Sequence, residues 1–240
     1  MKIALLTDGI TPFVIGGMQK HSYNLAKYLT IHGVHITVFH YENNNKIISN
    51  NQLKNVLFGR KSDYKVESQC LTFPSSIKFP GHYIYNSYRY SKLIAAKLAP
   101  IINEFDFIYA KGFCAWKLLQ LKKKGNQFPK IGVNFHGFEM WQKPPNRKIF
   151  CQYLFLRPFV KWNIENSDYV FSYGSKISSI IKELGINNKV IIESPSGVDD
   201  DFITKEDLKI NKKRKFVFVG RYERRKGIEE LSSVIKLLNF

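Results

Sequence analysis

Two short stretches carry residue types and spacing suited to holding an anion and acting beside it. The first is Gly16-Gly17-Met18, with His21 one helical turn further on, and it follows an apolar run over residues 3–6. Paired glycines between a strand and a helix let backbone N–H groups approach a ligand with no Cβ in the way. The helix N-terminus behind them carries orphan donors and the positive end of the dipole, so its natural guest is an anion such as a phosphate. The spacing is not G-x-G-x-x-G, so no dinucleotide fingerprint is implied. The plain alternative is a tight turn that only packs helix on strand. The second stretch, His136-Gly137-Phe138-Glu139, ends another apolar run over residues 131–135. His136 and Glu139 are half of a metal site without a third ligand at useful spacing, so no metal is expected. His21 is as open to a packing role as to contact with an acceptor, and Asp8 either orients the glycine loop or merely ends its strand.

The elements that must position these residues follow from periodicity. Apolar runs over residues 3–6, 34–41, 56–58, 66–73, 105–110, 131–135, 169–173 and 190–192 read as strands. Helical patterns fall over residues 18–31, closed by Gly33, over 84–104 with an interruption near Pro100, and over 115–123. Another is expected over 176–184, with Ser175 as N-cap and Gly185 as terminator. In the first of these helices Met18, Leu25, Ala26 and Leu29 define the apolar face. This alternation implies an α/β fold, a Rossmann-like, mostly parallel sheet with helices on both faces. Ligands of such sheets sit beyond the C-terminal strand ends, where the Gly16-Gly17 loop and the His136-Gly137 turn should line one cleft. After residue 199 the chain turns charged and unpatterned. A buried-type strand over 216–221 and a helix over 227–238 then begin a second α/β unit.

The 240 residues are 44% hydrophobic and 15% aromatic, enough to build a core and too apolar for a disordered chain. No run approaches the roughly 18 consecutive apolar residues that span a bilayer. The N-terminus lacks a small-residue cleavage site and reads as a first strand, not a signal peptide. Cys70, Cys114 and Cys151 are odd in number and widely spaced, which implies neither a disulfide framework nor a zinc site and fits a reducing cytoplasm. The outlier is charge: 37 Lys and Arg against 19 Asp and Glu, a formal +18. Such a field attracts phosphates, anionic membranes or nucleic acid, and abundant lysine can equally reflect genome composition. No helix-turn-helix, RNA-recognition or zinc-finger pattern accompanies it, so nucleic acid is not an expected partner.

Five stretches occur in a telling order: Gly16-Gly17-Met18 through His21 with Leu25-Ala26 and His32-Gly33-Val34; His136-Gly137; Ser167-Asp168 to Ser175; Ser194-Pro195-Ser196-Gly197-Val198-Asp199; and Phe218-Val219-Gly220-Arg221 to Lys226-Gly227-Ile228. Together they resemble family 4 (group 1) retaining glycosyltransferases of the GT-B type, sugar-nucleotide-dependent enzymes with two Rossmann-like domains around a cleft. The resemblance implies an enzyme that transfers a sugar, with retention, from a nucleotide-sugar donor to a glycan or glycolipid acceptor of the cell envelope. It assigns Gly16 and Gly17 to the donor phosphate and sugar. His136 becomes the catalytic residue beside the reacting carbon, Arg221 and Lys226 the cations on the diphosphate, and His21 a weak acceptor contact. Two cations neutralise a leaving diphosphate as its charge develops, so no metal is required. The leaving phosphate helps deprotonate the acceptor, and no protein nucleophile is implied. The only cofactor-like molecule is the UDP- or GDP-linked co-substrate.

The same resemblance divides the chain into an acceptor-side domain over residues 1–195 and, over 196–240, a linker with the first strand and helix of a donor-binding domain. The family's second domain normally continues and carries a pair of spaced glutamates; here Glu229 and Glu230 are adjacent. The chain is therefore expected to be a fragment, a truncated product or one half of a pair. The competing expectation is a non-catalytic remnant or acceptor-binding module. Two basic aromatic tracts, residues 83–97 and 143–162, raise peripheral contact with an anionic membrane at its inner face; the plain reading of the longer tract is a core-facing helix with a solvated basic side.

Overall fold

The computed structural model describes residues 1–41, 47–59, 63–74, 79–186, 190–197, 203, 217–219 and 227–237. Its centre is a seven-stranded sheet of β1 (Lys2–Leu6), β2 (His35–Tyr41), β3 (Val66–Leu71), β4 (Phe107–Lys111), β5 (Lys130–Asn134), β6 (Tyr169–Ser172) and β7 (Val190–Glu193). The order is β3-β2-β1-β4-β5-β6-β7, and every pairing is parallel. The strands end in step: Leu6 pairs with Phe39 and Ala110, Ala110 with Val133, and Val133 with Val170. Residues just past those ends are thereby brought to one edge, and the edge where the order reverses, between β1 and β4, is where such sheets take ligands.

Among the described residues, the helices that flank the sheet are α1 (Gly17–Ile31), α2 (Asn50–Phe58), α3 (His82–Leu98), α4 (Trp116–Lys123), α5 (Arg147–Asn166) and α6 (Lys176–Glu183), and a further helix is α7 (Ile228–Leu237). Successive strand residues point to opposite faces. Ala4 and Leu6 accordingly pack with Ile94, Leu98, Leu118 and Ile164 of α3, α4 and α5, while Ile3 and Leu5 pack with Ala26, Leu53 and Leu57 of α1 and α2.

Several expectations are corrected. Residues 56–58 are not a strand but the end of α2. Ser49 and Gln52 form a capping box there, and Leu53 and Leu57 are buried one turn apart, which outweighs the β-branched Val56. The buried side of α1 is Gln19, Ser22, Ala26 and Thr30, with Met18, Leu25 and Leu29 only half-buried. Hydrogen bonds explain the exchange: the Ser22 hydroxyl meets Thr7 Oγ1 at 2.8 Å, and Thr30 Oγ1 donates to the Ala26 carbonyl. Ser175 occupies the N-cap position of α6 at φ 49° but makes no side-chain cap. The helix α5 is capped by Asn146, whose side chain accepts from the Ile149 N–H, and runs through Pro158. Its buried residues, Val160, Asn163 and Ile164, lie in the second half, whereas Phe150, Leu154 and Phe155 in the first half are exposed. Its fully buried residues thus lie only after the proline, although Leu156 before it also packs against the core.

Of the strand expected over residues 216–221, only 217–219 are described. They carry no strand and are exposed, and α7 has no buried residue. Among the described residues no helix is long and apolar enough to cross a membrane.

Candidate active site at the strand ends

The residue after Leu6 and Thr7 is Asp8, and its Oδ1 accepts from Gln19 Nε2 at 3.1 Å. This bond fixes the first turn of α1 over the end of β1. Gly16 precedes the helix in extended backbone and gives no side-chain cap, so the bare N-terminus of α1 faces the strand ends. A Cβ on Gly16 would lie 2.2 Å from Gln19 Oε1, against a side chain that Asp8 holds. A Cβ on Gly17 would meet nothing within 4 Å. Gly16 therefore makes room inside the loop, and Gly17 leaves room outside it.

Lys111, the last residue of β4, is 1% exposed. Its Nζ donates to the Met18 carbonyl at 3.3 Å and to His21 Nδ1, tying β4 to the first turn of α1. Burial pulls the Lys111 ammonium down to about 7, and the nearby Asp8 carboxylate only partly opposes this. Burial likewise raises the Asp8 carboxyl, against its backbone hydrogen bond and the Lys111 charge. His21 is lowered to about 4 by burial and by the Lys111 cation, so it is neutral and accepts.

His136 follows β5 at φ 57°, and Phe138 at φ 49° also lies in the left-handed region, a conformation costing about 1 kcal/mol or more for such residues. Specific contacts hold the turn. The His136 N–H donates to Asn134 Oδ1 at 2.8 Å, Gln142 Nε2 donates to the Gly137 carbonyl at 2.6 Å, and Phe138 is fully buried. A Cβ at Gly137 would sit 2.7 Å from Glu139 Oε1, so that carboxylate would have to move aside. The His136 ring packs edge-on to His21, with centroids 5.8 Å apart, and its Nδ1 is 2.6 Å from the Tyr173 hydroxyl beyond β6. Burial, then the charges of Lys111 and His21, lower His136 to about 3. A neutral imidazole that takes the Tyr173 hydroxyl at Nδ1 carries its hydrogen on Nε2. That Nε2 is buried and, among the described residues, has no hydrogen-bond partner. Orphans of this kind cost about 1–3 kcal/mol and mark places where function outweighs stability.

Gly16, Gly17, His21 and His136 are thus brought to one edge of the sheet. Arg221 and Lys226 lie outside the described residues. Ser167-Asp168 does not join the site. Burial pushes the Asp168 carboxyl up, but bonds from Lys122 and the Ile131 N–H hold it below the ordinary carboxylate value, pinning the start of β5 at the opposite end. Ser194 to Gly197 instead face α1 across a cavity of about 200 Å³ that includes His21, Asn24 and His32. The expectations omitted Lys111, Tyr173, Asn134 and Gln19. The usable clue was polar residues directly after apolar runs, in step on neighbouring strands. Among the described residues no cluster of His, Cys, Asp and Glu could hold a metal.

No family model matches the chain, and no curated protein matches it by sequence. Solved structures do. Sucrose-phosphate synthase from Thermosynechococcus elongatus superposes on 99% of this chain at a TM-score of 0.68 and 16% identity, over 60% of its own length. Medicago truncatula UGT71G1, solved with UDP-glucose, covers 88% of the chain at a TM-score of 0.53 and 13% identity, over 54% of its own. The N-terminal domain of a Candida albicans trehalose-6-phosphate phosphatase covers 98% at 0.53 and 11% identity. The chain thus spans less than two-thirds of the proteins it superposes on. The likeness establishes the fold: a parallel, Rossmann-like α/β sheet shared with these proteins.

Proposed function

We propose that the chain is the acceptor-side part, residues 1–195, of a glycosyltransferase that moves a sugar from a UDP- or GDP-linked donor to a glycan or glycolipid with retention. The observation that carries this reading is the orphaned Nε2 of a neutral His136 beside the uncapped N-terminus of α1. A neutral imidazole N–H suits a sugar hydroxyl or a developing phosphate oxygen, and a bare helix start suits the diphosphate. That UGT71G1 was solved with UDP-glucose supports the donor class. In this reading Gly17 gives the donor phosphate close access and His136 donates to the donor sugar. Arg221 and Lys226, in residues 196–240, would meet the diphosphate from the other lip. The acceptor enters the cavity of about 270 Å³ that holds Asp8 and Lys111 among the aromatic rings of Tyr41, Tyr90 and Phe113. His21 positions that subsite through Lys111.

The test is to incubate the full chain with radiolabelled UDP- and GDP-sugars and oligosaccharide acceptors, alone and with a donor-binding domain supplied in trans. Label transfer that is lost in His136→Ala supports the proposal. Absence of both nucleotide binding and transfer, even with the donor-binding domain supplied, overturns it. Acceptor binding without donor turnover would instead identify a non-catalytic binding module.

A further inference from the structure

Two cavities near the C-terminal strand ends share one wall residue. The smaller is the Asp8–Lys111 cavity. The larger, of about 640 Å³, is an open groove between the start of α3 and the first half of α5, lined chiefly by Phe79, Ile84, Phe155 and Leu156. Tyr83 lines both. The groove has the size of sites that bury a drug-sized ligand. Gly81 shapes its floor: at φ 92° it turns the chain into α3, and a Cβ there would press within 3.3 Å of the Phe155 ring.

The two cavities differ in chemistry. The smaller offers a carboxyl, an amine and aromatic faces, which suits a sugar. The groove offers hydrocarbon surface, and among the described residues none of its lining side chains is acidic and the lysine lining it is Lys148, with exposed Arg147 next in the chain. Phe150 and Leu154 extend the exposed apolar surface along the same half of α5. A free sugar would use the first cavity and leave the groove empty. An amphiphile with an anionic link uses both, and the local charge favours that anion.

We propose that the groove holds the hydrocarbon tail of an anionic lipid-linked acceptor whose sugar occupies the Asp8–Lys111 cavity. The tail lies against Phe155 and Leu156, Tyr83 packs where sugar and tail meet, and Lys148 draws the anionic link. This rests on the acceptor reading given above and names its substrate class.

Cys151 lines the groove and is exposed, whereas Cys114 is buried, so maleimide modification of Cys151, resolved by mass spectrometry, reports occupancy. The probes are decyl phosphate below its micellar concentration, decyl maltoside, inorganic phosphate and anionic phosphatidylglycerol vesicles, each with the full chain. Decyl phosphate is expected to slow modification of Cys151 by about tenfold. Decyl maltoside should protect less, and inorganic phosphate not at all. Lys148→Glu should raise the decyl phosphate concentration needed by about fivefold. Leu156→Asp should abolish protection, and Leu156→Met should retain it, which separates tail binding from misfolding. No protection by decyl phosphate, or equal protection by inorganic phosphate, overturns the inference. Protection by anionic vesicles alone also overturns it and makes the groove a membrane-docking face. Transfer to a water-soluble acceptor without Cys151 protection sinks this inference and leaves the transferase reading standing. Protection without nucleotide binding or transfer does the reverse.

Discussion

The Tyr173 hydroxyl and His136 Nδ1 lie 2.6 Å apart, joining the residues that follow two adjacent parallel strands. The contact settles which imidazole nitrogen is free for a ligand. Tyr173→Phe removes it while leaving the edge-on ring contact with His21, whose centroid lies 5.3 Å from that of Tyr173. The expected outcome is a fall in transfer of about tenfold, the worth of one hydrogen bond in a dry site. The melting temperature should move by no more than about 2 °C. Steady-state kinetics with thermal denaturation decide it: an unchanged kcat would show that Tyr173 does not orient His136.

The two glycines of the loop separate structure from binding. Gly16→Ala drives a methyl group into Gln19 and breaks its bond to Asp8, so it should destabilise the fold by about 1 kcal/mol or more. Gly17→Ala places its methyl in open space and should leave stability within about 0.5 kcal/mol, yet crowd a phosphate and weaken UDP or GDP binding by about tenfold. Denaturant titration and calorimetric nucleotide binding test the pair. Equal nucleotide affinity of Gly17→Ala and the natural chain would remove this loop from the donor site.

Lys111→Met tests the field at the site. The Lys111 charge helps lower both His21 and His136, after burial in each case. With the charge removed and the site still filled, both histidines should titrate closer to their ordinary 6.5 than the present values of about 4 and about 3. NMR titration of the imidazole Cε1 protons reads this directly and does not depend on activity. If neither histidine moves, the amine is not charged beside them.

The legible part of this protein is what local pattern controls. Runs such as residues 131–135 are apolar because a parallel strand is buried on both faces, and the glycines at 33 and 185 sit at positive φ where their helices end. Lys111 was not legible. A lysine closing an apolar run ordinarily reads as the solvated end of a strand, whereas here its Nζ is taken up by the first turn of α1 and the side chain is buried. Tyr173 gained its role from the adjacency of β5 and β6, which the chain itself does not display. The buried face of α1 escaped apolar periodicity because Gln19, Ser22 and Thr30 satisfy their polar atoms on the loop, β1 and their own helix.

Acid should destabilise the fold well before the carboxylates titrate. His21, His40 and His136 fall from 6.5 to about 4, about 4 and about 3, each chiefly through burial. Between those values and 6.5 the unfolded chain binds protons that the folded chain refuses. Stability therefore rises with pH across this window, and each proton is worth about 1.4 kcal/mol per pH unit. Lys111 adds the same sign at higher pH: it is lowered from 10.5 to about 7, so stability should keep rising from about 7 towards 10.5. Asp8, raised by burial, opposes the trend just above its ordinary 3.8. Unfolding free energies from urea titrations spanning about two pH units, from about 4.5 to about 6.5, isolate the histidine part. His136→Gln should flatten the dependence by about one proton, because its side chain no longer titrates while an amide still bonds to Tyr173. An identical slope in the variant would mean that His136 protonates freely in the folded chain, and a neutral donor at that strand end would no longer be available to a sugar.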